Sequence, residues 1–304
     1  MQILSLFDGI GVAALALKRA GIKVTKYYAS EIDKNAIKVA LANHPNIIQL
    51  GDVSSINGID LEPIDLLIGG SPCTNLSSMG KMEGLQGAQS KLFFEYVRLL
   101  KETKPKFFLL ENVASMRKEE RDKISALLNV EPILINSSLL SSQCRKRLYW
   151  TNIPGVNLPK DKGIKFEDII TSGYVDREKS HALLTNQLPE TQVGLNRYLY
   201  KCTGQLIFKD KYFAELDKET KLERFKNMEL LRLLDKQKDK EFKNGVFRKI
   251  NIHEAEALQT LPRNYTAGIS LSNRYKALGN SFTCDVIAHI LSKLPQATHT
   301  PDSQ

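Results

Sequence analysis

The sequence predicts an α/β fold: a mixed, mostly parallel sheet flanked by helices, with a smaller module inserted late in the chain. Three observations predict it. Short apolar runs alternate with amphipathic segments at helical spacing up to about residue 153, the pattern of βαβ units. Several of those runs end in an acid or a thiol, Glu31, Asp52, Cys73 and Glu111, as expected where strands empty onto one edge of an open sheet. The alternation then breaks between Pro154 and Phe247 and resumes at Arg248. These breaks divide the chain into 1–153 and 248–304 as two parts of one domain, with 154–247 as the inserted module.

In order, Gln2 to Phe7 reads as a strand, and Asp8-Gly9-Ile10-Gly11 turns it into a helix, Val12 to Ala20, that Gly21 ends as a C′ residue. A second strand, Val24 to Ser30, ends at Glu31. Strand, glycine turn, helix and acid-ended strand form the geometry of an adenosine-ribose site, in which a carboxylate accepts hydrogen bonds from ribose hydroxyls. Gly9-x-Gly11-x-x-Ala14 also satisfies the dinucleotide pattern, so NAD, FAD and S-adenosyl-L-methionine all remain open at this point.

Helix Lys34 to Asn43 and strand Ile47 to Leu50 lead to Gly51-Asp52-Val53, where Asp52 can accept from an adenine amine. The apolar run Ile64 to Ile68 stops at Gly69-Gly70-Ser71-Pro72-Cys73 and opens into a glycine-dotted loop, Thr74 to Ser90. Leu92, Phe93, Tyr96, Val97 and Leu100 then recur at helical spacing up to Pro105. Phe107 to Leu110 is a strand with Glu111-Asn112-Val113 at its exit. A helix, Lys118 to Leu128, and a strand, Pro132 to Ser137, precede Gln143-Cys144-Arg145-Lys146-Arg147, whose alternation puts both arginines on one side of an extended chain. The charged stretch Ala214 to Lys243 reads as helical. A helix spans Ile252 to Leu258, and Ala277 to Ser281 reads as a turn before the last helix, Phe282 to Leu294.

The formal charge is +9, and residues 151–250 carry 20 basic against 15 acidic side chains, which hints at a polyanionic partner. Arg177, Arg197 and Lys201 are basic candidates on expected loops of the module. The cysteines at 73, 144, 202 and 284 show neither a CxxC spacing nor partnering histidines, so no metal site is expected. No apolar run reaches transmembrane length, and Met1 leads straight into a strand, so no membrane association and a cytoplasmic location are expected.

Taken as an ordered set, these segments resemble the DNA (cytosine-5)-methyltransferase family. The motifs that carry the resemblance are Ser5-Leu6-Phe7-Asp8-Gly9-Ile10-Gly11, Ser30-Glu31-Ile32-Asp33, Gly51-Asp52-Val53, Ser71-Pro72-Cys73, Glu111-Asn112-Val113, Gln143-x-Arg145-x-Arg147, Arg248 to Pro262 with Glu254, Leu258 and Gln259, and Gly279-Asn280-Ser281. They cover roughly 1–155 and 248–294. Ser71 to Pro159 looks closest to the de novo enzymes. One departure is Val12-Ala13, where much of the family has a further glycine.

The resemblance implies a Rossmann-like S-adenosyl-L-methionine-dependent methyltransferase with a smaller target-recognition domain, acting on cytosine C5 in double-stranded DNA. It implies Cys73, Glu111, Arg145 and Arg147 as catalytic residues. For the cofactor it implies Phe7, Asp8, Gly9, Ile10, Gly11, Glu31, Ile32, Asp52, Val53, Pro72, Leu92, Asn280 and Ser281. It further implies a flipped target base and a loop, Thr74 to Ser90, suited to closing over it. A cognate restriction endonuclease is a possible companion. One branch of the family methylates transfer RNA and carries a Cys-Phe-Thr motif near the recognition module, which this sequence lacks. A silent DNA-binding homologue is the other alternative, and the intact Cys73, Glu111 and Arg147 speak against it.

Overall fold

The structure, a computed structural model, describes residues 1–71, 91–184, 192–201, 204–226 and 247–295. Pro72, Cys73, the loop Thr74 to Ser90, the charged stretch from residue 227 onward, continuing to 246, and the last nine residues lie outside that set.

A seven-stranded sheet forms the centre, in the order β3-β2-β1-β4-β5-β8-β6. Its strands are β1 (Gln2–Leu6), β2 (Lys26–Ser30), β3 (Ile47–Gln49), β4 (Leu66–Gly69), β5 (Phe107–Val113), β6 (Ile133–Asn136) and β8 (Lys146–Thr151). The first five are parallel, and β8 runs antiparallel to both β5 and β6. The short β7 (Gln143–Cys144) leaves this sheet to pair with β9 (Ser180–His181).

Alternation along β1 shows how the sheet is covered. Ile3 faces a core shared with α1 (Val12–Arg19), α2 (Lys34–Asn43) and the C-terminal helices, while Leu4 and Leu6 face a second core with α3 (Lys91–Thr103) and α4 (Lys118–Leu128). Both faces of a parallel sheet are thus buried, and β4 carries no exposed residue. Trp150 fills the second core and donates from Nε1 to Ser125 Oγ at 3.0 Å.

After the main sheet, residues up to 184 still contribute to the first core through Ile153, Phe166 and Leu183. A third, smaller core follows. It packs Leu195, Tyr198 and Leu199 of α5 (Gln192–Lys201) on Leu206, Phe208, Ala214 and Phe247, around β10 (Ile207–Phe208), α6 (Lys211–Glu215), α7 (Lys218–Lys226) and β11 (Phe247–Arg248). Within the charged stretch the helix breaks at Leu216, which is extended (ψ 144°), and Asp217 accepts from Thr220 N to start α7. The stretch was expected to be helical, and its described part is, with a break where the Asp217 side chain offers the backbone an alternative partner and starts α7.

The chain returns through α8 (Ile252–Leu258), α9 (Leu271–Asn280) and α10 (Cys284–Leu291). Asn251 caps α8 with Glu254 in a reciprocal capping box. The expected turn at Ala277 to Ser281 is instead the last turn of α9, closed by Ser281, so the glycine at 279 lies inside a helix. α10 packs on α1, and Arg19 ties them by donating to Asp285 Oδ1 and Thr260 O, both at 2.6 Å.

Candidate active site

In open α/β sheets ligands sit where the strand order reverses, here between β1 and β4. A cleft of about 410 Å³ opens there, within the range for small-molecule sites. Its walls are the exits of β1, β2, β4 and β5, the turn after β3, Leu92 of α3 and the end of α9.

Of the residues expected to bind a cofactor, Phe7, Asp8, Gly9, Ile10, Glu31, Ile32, Asp52, Val53, Leu92, Asn280 and Ser281 all line this cleft. Gly11 does not. A Cβ there would lie 3.2 Å from His44 Cδ2 and 3.3 Å from Ala40, so its glycine permits α2 to approach, while Gly9 faces open space. Both have positive φ, at +75° and +61°.

Glu31 follows β2, its carboxylate accepting from three main-chain N–H groups: Gly9 at 2.9 Å, and Ile32 and Asp33 at 2.8 Å. This locks the glycine turn to the acid. Ile32 beside it is 72% exposed, an apolar surface on the cleft wall. Asp52 accepts from Ser54 N and Oγ on Oδ1, which holds its carboxyl below the usual range. Arg98 of α3 braces the same wall, donating to Val53 O at 3.1 Å and Ile56 O at 2.9 Å while pairing with Glu95 and Glu102.

Asp8 was expected among the cofactor-binding residues; it lines the cleft, and its carboxylate turns inward. Ser5 Oγ and Tyr27 Oη each donate to Oδ1 at 2.6 Å, and buried Oδ2 has no hydrogen-bond partner among the described residues. Burial pushes its pKa up to about 6 against the lowering by Ser5 and Tyr27, and the Glu31 charge adds to the rise.

The end of the cleft that holds Glu111 is built by β4, β5 and β8. Gly69 and Gly70 are needed for close packing: a Cβ on Gly69 would meet Leu6 O and the Tyr96 ring at 3.1 Å, and one on Gly70 the Phe282 ring at 2.8 Å. Glu111 was placed beyond its strand; β5 instead continues to Val113, because β8 pairs antiparallel along its whole end and opposes Glu111 with Tyr149. Arg147 Nε donates to Glu111 Oε1 at 2.7 Å. The adjacent Asn112, 1% exposed, donates from Nδ2 to Ser71 Oγ at 3.1 Å, fixing the chain two residues before Cys73.

Arg145 also lines the cleft but has different partners from Arg147. The chain leaves one sheet for another at this residue, so its buried guanidinium faces main-chain carbonyls: Leu183 and Gly279 at 3.0 Å and Ser281 at 3.1 Å. Gln143 completes the clamp, accepting from Leu183 N at 3.0 Å and donating to Leu258 O and Gln259 Oε1. Arg177, expected on a loop, packs 4.1 Å over the Tyr198 ring and pairs with Asp176; Arg197 and Lys201 lie exposed on α5, a helix.

Asp33 and Lys276 were not foreseen. Both line the cleft and form an ion pair at 3.2 Å across 243 residues of sequence. Asp33 sat in the quoted Ser-Glu-Ile-Asp run, but no local signal marks Lys276. Among the described residues no cluster of His, Cys, Asp and Glu is placed to hold a metal, and no helix is long and apolar enough to cross a membrane.

This sheet order, with its glycine turn and acid-ended strands around one cleft, defines a Rossmann-like S-adenosyl-L-methionine-dependent methyltransferase fold. The sequence matches the family model for C-5 cytosine-specific DNA methylases over residues 1–153 and 151–296, and the chain belongs to that family. The type II methyltransferase M1.ScrFI of Lactococcus lactis subsp. cremoris is 28% identical over 317 aligned positions, covering 96% of this chain and 77% of that protein. The orphan methyltransferase M.SPRI of Bacillus phage SPR is 36% identical over 161 positions, 49% of this chain and 37% of that protein. The match to another phage protein, M.Rho11sI of Bacillus phage rho11s, spans 49% of it, so these alignments cover half or less of the phage enzymes. Among solved structures, the Entamoeba histolytica methyltransferase EhMeth shares the fold with a TM-score of 0.69 at 17% identity, covering 96% of this chain and 97% of that one. The S. pombe Dnmt2 methyltransferase does so at 0.64 and 17%, with the same coverage.

Proposed function

We propose that the protein transfers a methyl group from S-adenosyl-L-methionine to C5 of cytosine in double-stranded DNA, through a transient bond from Cys73 to C6 of a base swung out of the helix. The observation that carries this reading is the Glu111–Arg147 pair at the end of β5, beside a Ser71 that Asn112 holds. Cys73 follows Ser71 by two residues in the sequence and lies outside the described residues; its role here rests on the Ser71-Pro72-Cys73 motif.

The cleft residues fit the cofactor. Gly9 leaves open space for a ligand, Glu31 and Asp52 present acids to a ribose and an adenine amine, and Ile32 presents an apolar face to the ring. When bound, S-adenosyl-L-methionine supplies an electrophilic methyl group. Phe7, Val53 and Leu92 would hold it from the cleft walls and Asn280 and Ser281 would take its amino-acid end, while Pro72, outside the described residues, is assigned to it by the motif alone.

Cytosine C5 is a weak nucleophile until the ring is made electron-rich. The Cys73 thiolate adds to C6 and converts C5 into an enamine carbon; after methyl transfer the C5 proton leaves to solvent and the sulfur is expelled. Glu111 hydrogen-bonds the N3 and amine edge, and Arg147 stabilises charge at O2 as it develops. Arg145 holds the walls in place. Residues 154–247 would form the recognition module, supported by the separate small core around Tyr198 and Phe208. The setting would be the cytoplasm, and a type II relative makes a cognate endonuclease a proposed companion.

The test is incubation with tritiated cofactor and mixed DNA, followed by digestion to nucleosides. Label in 5-methylcytosine is expected; label confined to N6-methyladenine or N4-methylcytosine, or RNA labelled far faster than DNA, would refute the reading. Bisulfite sequencing of the same product names the recognised bases.

A further inference from the structure

The glycine turn between β1 and α1 is held from outside by two residues that none of the motifs includes. Tyr265, between α8 and α9, is 4% exposed. Its hydroxyl lies 3.0 Å from Ile10 O and 3.1 Å from Gly11 O, 254 to 255 residues away in sequence. His44 Nε2, at the end of α2, lies 3.1 Å from the same oxygen.

A phenol has one hydrogen to donate and lone pairs to accept with. The two carbonyls can only accept, so they share the Tyr265 proton, and the His44 ring must donate from Nε2–H into the phenolic oxygen. Burial pushes the Tyr265 pKa upward, so the proton stays on it, and burial with Lys18 nearby lowers that of His44. The same imidazole packs its Cδ2 against Gly11, at 3.2 Å from where a Cβ would stand, and Asn43 Nδ2 donates to Tyr265 O at 2.8 Å. Tyr265 is therefore seated on α2 by its main chain and its ring, and it presents its hydroxyl to the turn.

The turn matters because Ile10 and Gly9 line the cleft and Gly9 N donates to Glu31. Gly11 has φ +75°, and its carbonyl accepts from Leu15 N at a long 3.3 Å, so the Tyr265 hydroxyl adds a second and shorter hold on this turn from the far end of the chain. We infer that Tyr265, oriented by His44, is a positioning residue for the cofactor turn, fixing Ile10 and Gly11 so that Gly9 and Glu31 meet S-adenosyl-L-methionine in one arrangement. This rests on the proposed cofactor reading of the cleft.

Tyr265→Phe removes one oxygen and leaves the packing, which makes it the cleanest test. Calorimetric titration of the full chain with S-adenosyl-L-homocysteine should show Kd raised about five- to tenfold, the loss of one buried hydrogen-bonding centre. In steady-state assays KM for the cofactor should rise by a larger factor than kcat falls, with KM for DNA unmoved. His44→Leu should reproduce the loss, His44→Gln, which keeps an N–H donor, should recover most of it, and Tyr265→Phe with His44→Leu should be little worse than either alone. Kd within twofold of wild type in both Tyr265→Phe and His44→Leu overturns the inference, as does a fall in kcat with cofactor KM unchanged. Wild-type protein that fails to bind S-adenosyl-L-homocysteine at all overturns the cofactor reading instead.

Discussion

Arg147 Nε sits 2.7 Å from Glu111 Oε1, joining side chains of two antiparallel strands that are 18% and 13% exposed. The pair is half-enclosed by the sheet, with Gly70 on its other side: a Cβ on Gly70 would stand 3.3 Å from Glu111 Oε2. Removing either partner leaves the other charge poorly compensated at a site mostly shielded from solvent.

Glu111→Gln keeps the shape and loses the acid. Single-turnover methyl transfer should slow by about 10²–10³-fold, the scale of one lost transition-state contact, while calorimetry shows cofactor affinity largely kept. Arg147→Lys cannot place an Nε–H against the carboxylate and should cost about 10–100-fold. Rates within threefold of wild type in both variants would remove the pair from the chemistry.

Cys73→Ala should abolish transfer and retain DNA binding, since sulfur is needed only for the covalent step. Duplex containing 5-fluorocytosine blocks loss of the C5 substituent, so wild-type protein should form a stable adduct whose peptide carries the base on Cys73. Continued methylation by Cys73→Ala would end the covalent proposal.

Arg145 and Arg147 are two residues apart and should behave differently. Arg145→Met leaves three carbonyls, on Leu183, Gly279 and Ser281, without this donor. Denaturant unfolding should show a loss on the order of 2–4 kcal/mol, with DNA and cofactor affinity both reduced. Arg147→Met should change stability far less than it changes rate. Equal stability losses in the two variants would erase the distinction between positioning and catalysis.

Asp8 sets a pH dependence of folding. Its folded-state pKa, raised by burial to about 6 from 3.8, means that between these values the folded protein binds more protons than the unfolded chain. Stability contributed by this residue therefore falls as pH rises through 4 to 6 and stays low above it, by on the order of 3 kcal/mol. Asp8→Asn should unfold at higher denaturant than wild type at pH 7.5 and at nearly the same denaturant at pH 4. A difference that does not change with pH would show that the carboxylate is not the source.

The alternation of apolar runs and amphipathic segments determined the sheet and most of its helices from sequence, because period and turn chemistry are local properties. The acids at 31 and 52 and the glycine at 9 were legible for the same reason: strand ends and turns are marked by neighbours in the chain, and all three line the cleft. Tertiary structure alone decided how far β5 runs, since its last residues are strand only because β8 pairs with them. It decided that Asp8 turns inward, that Arg145 clamps carbonyls from two distant segments and that Tyr265 steadies a turn some 255 residues away. Each of these depends on donors and acceptors brought together by packing, whose pairings leave no period and no spacing in the sequence.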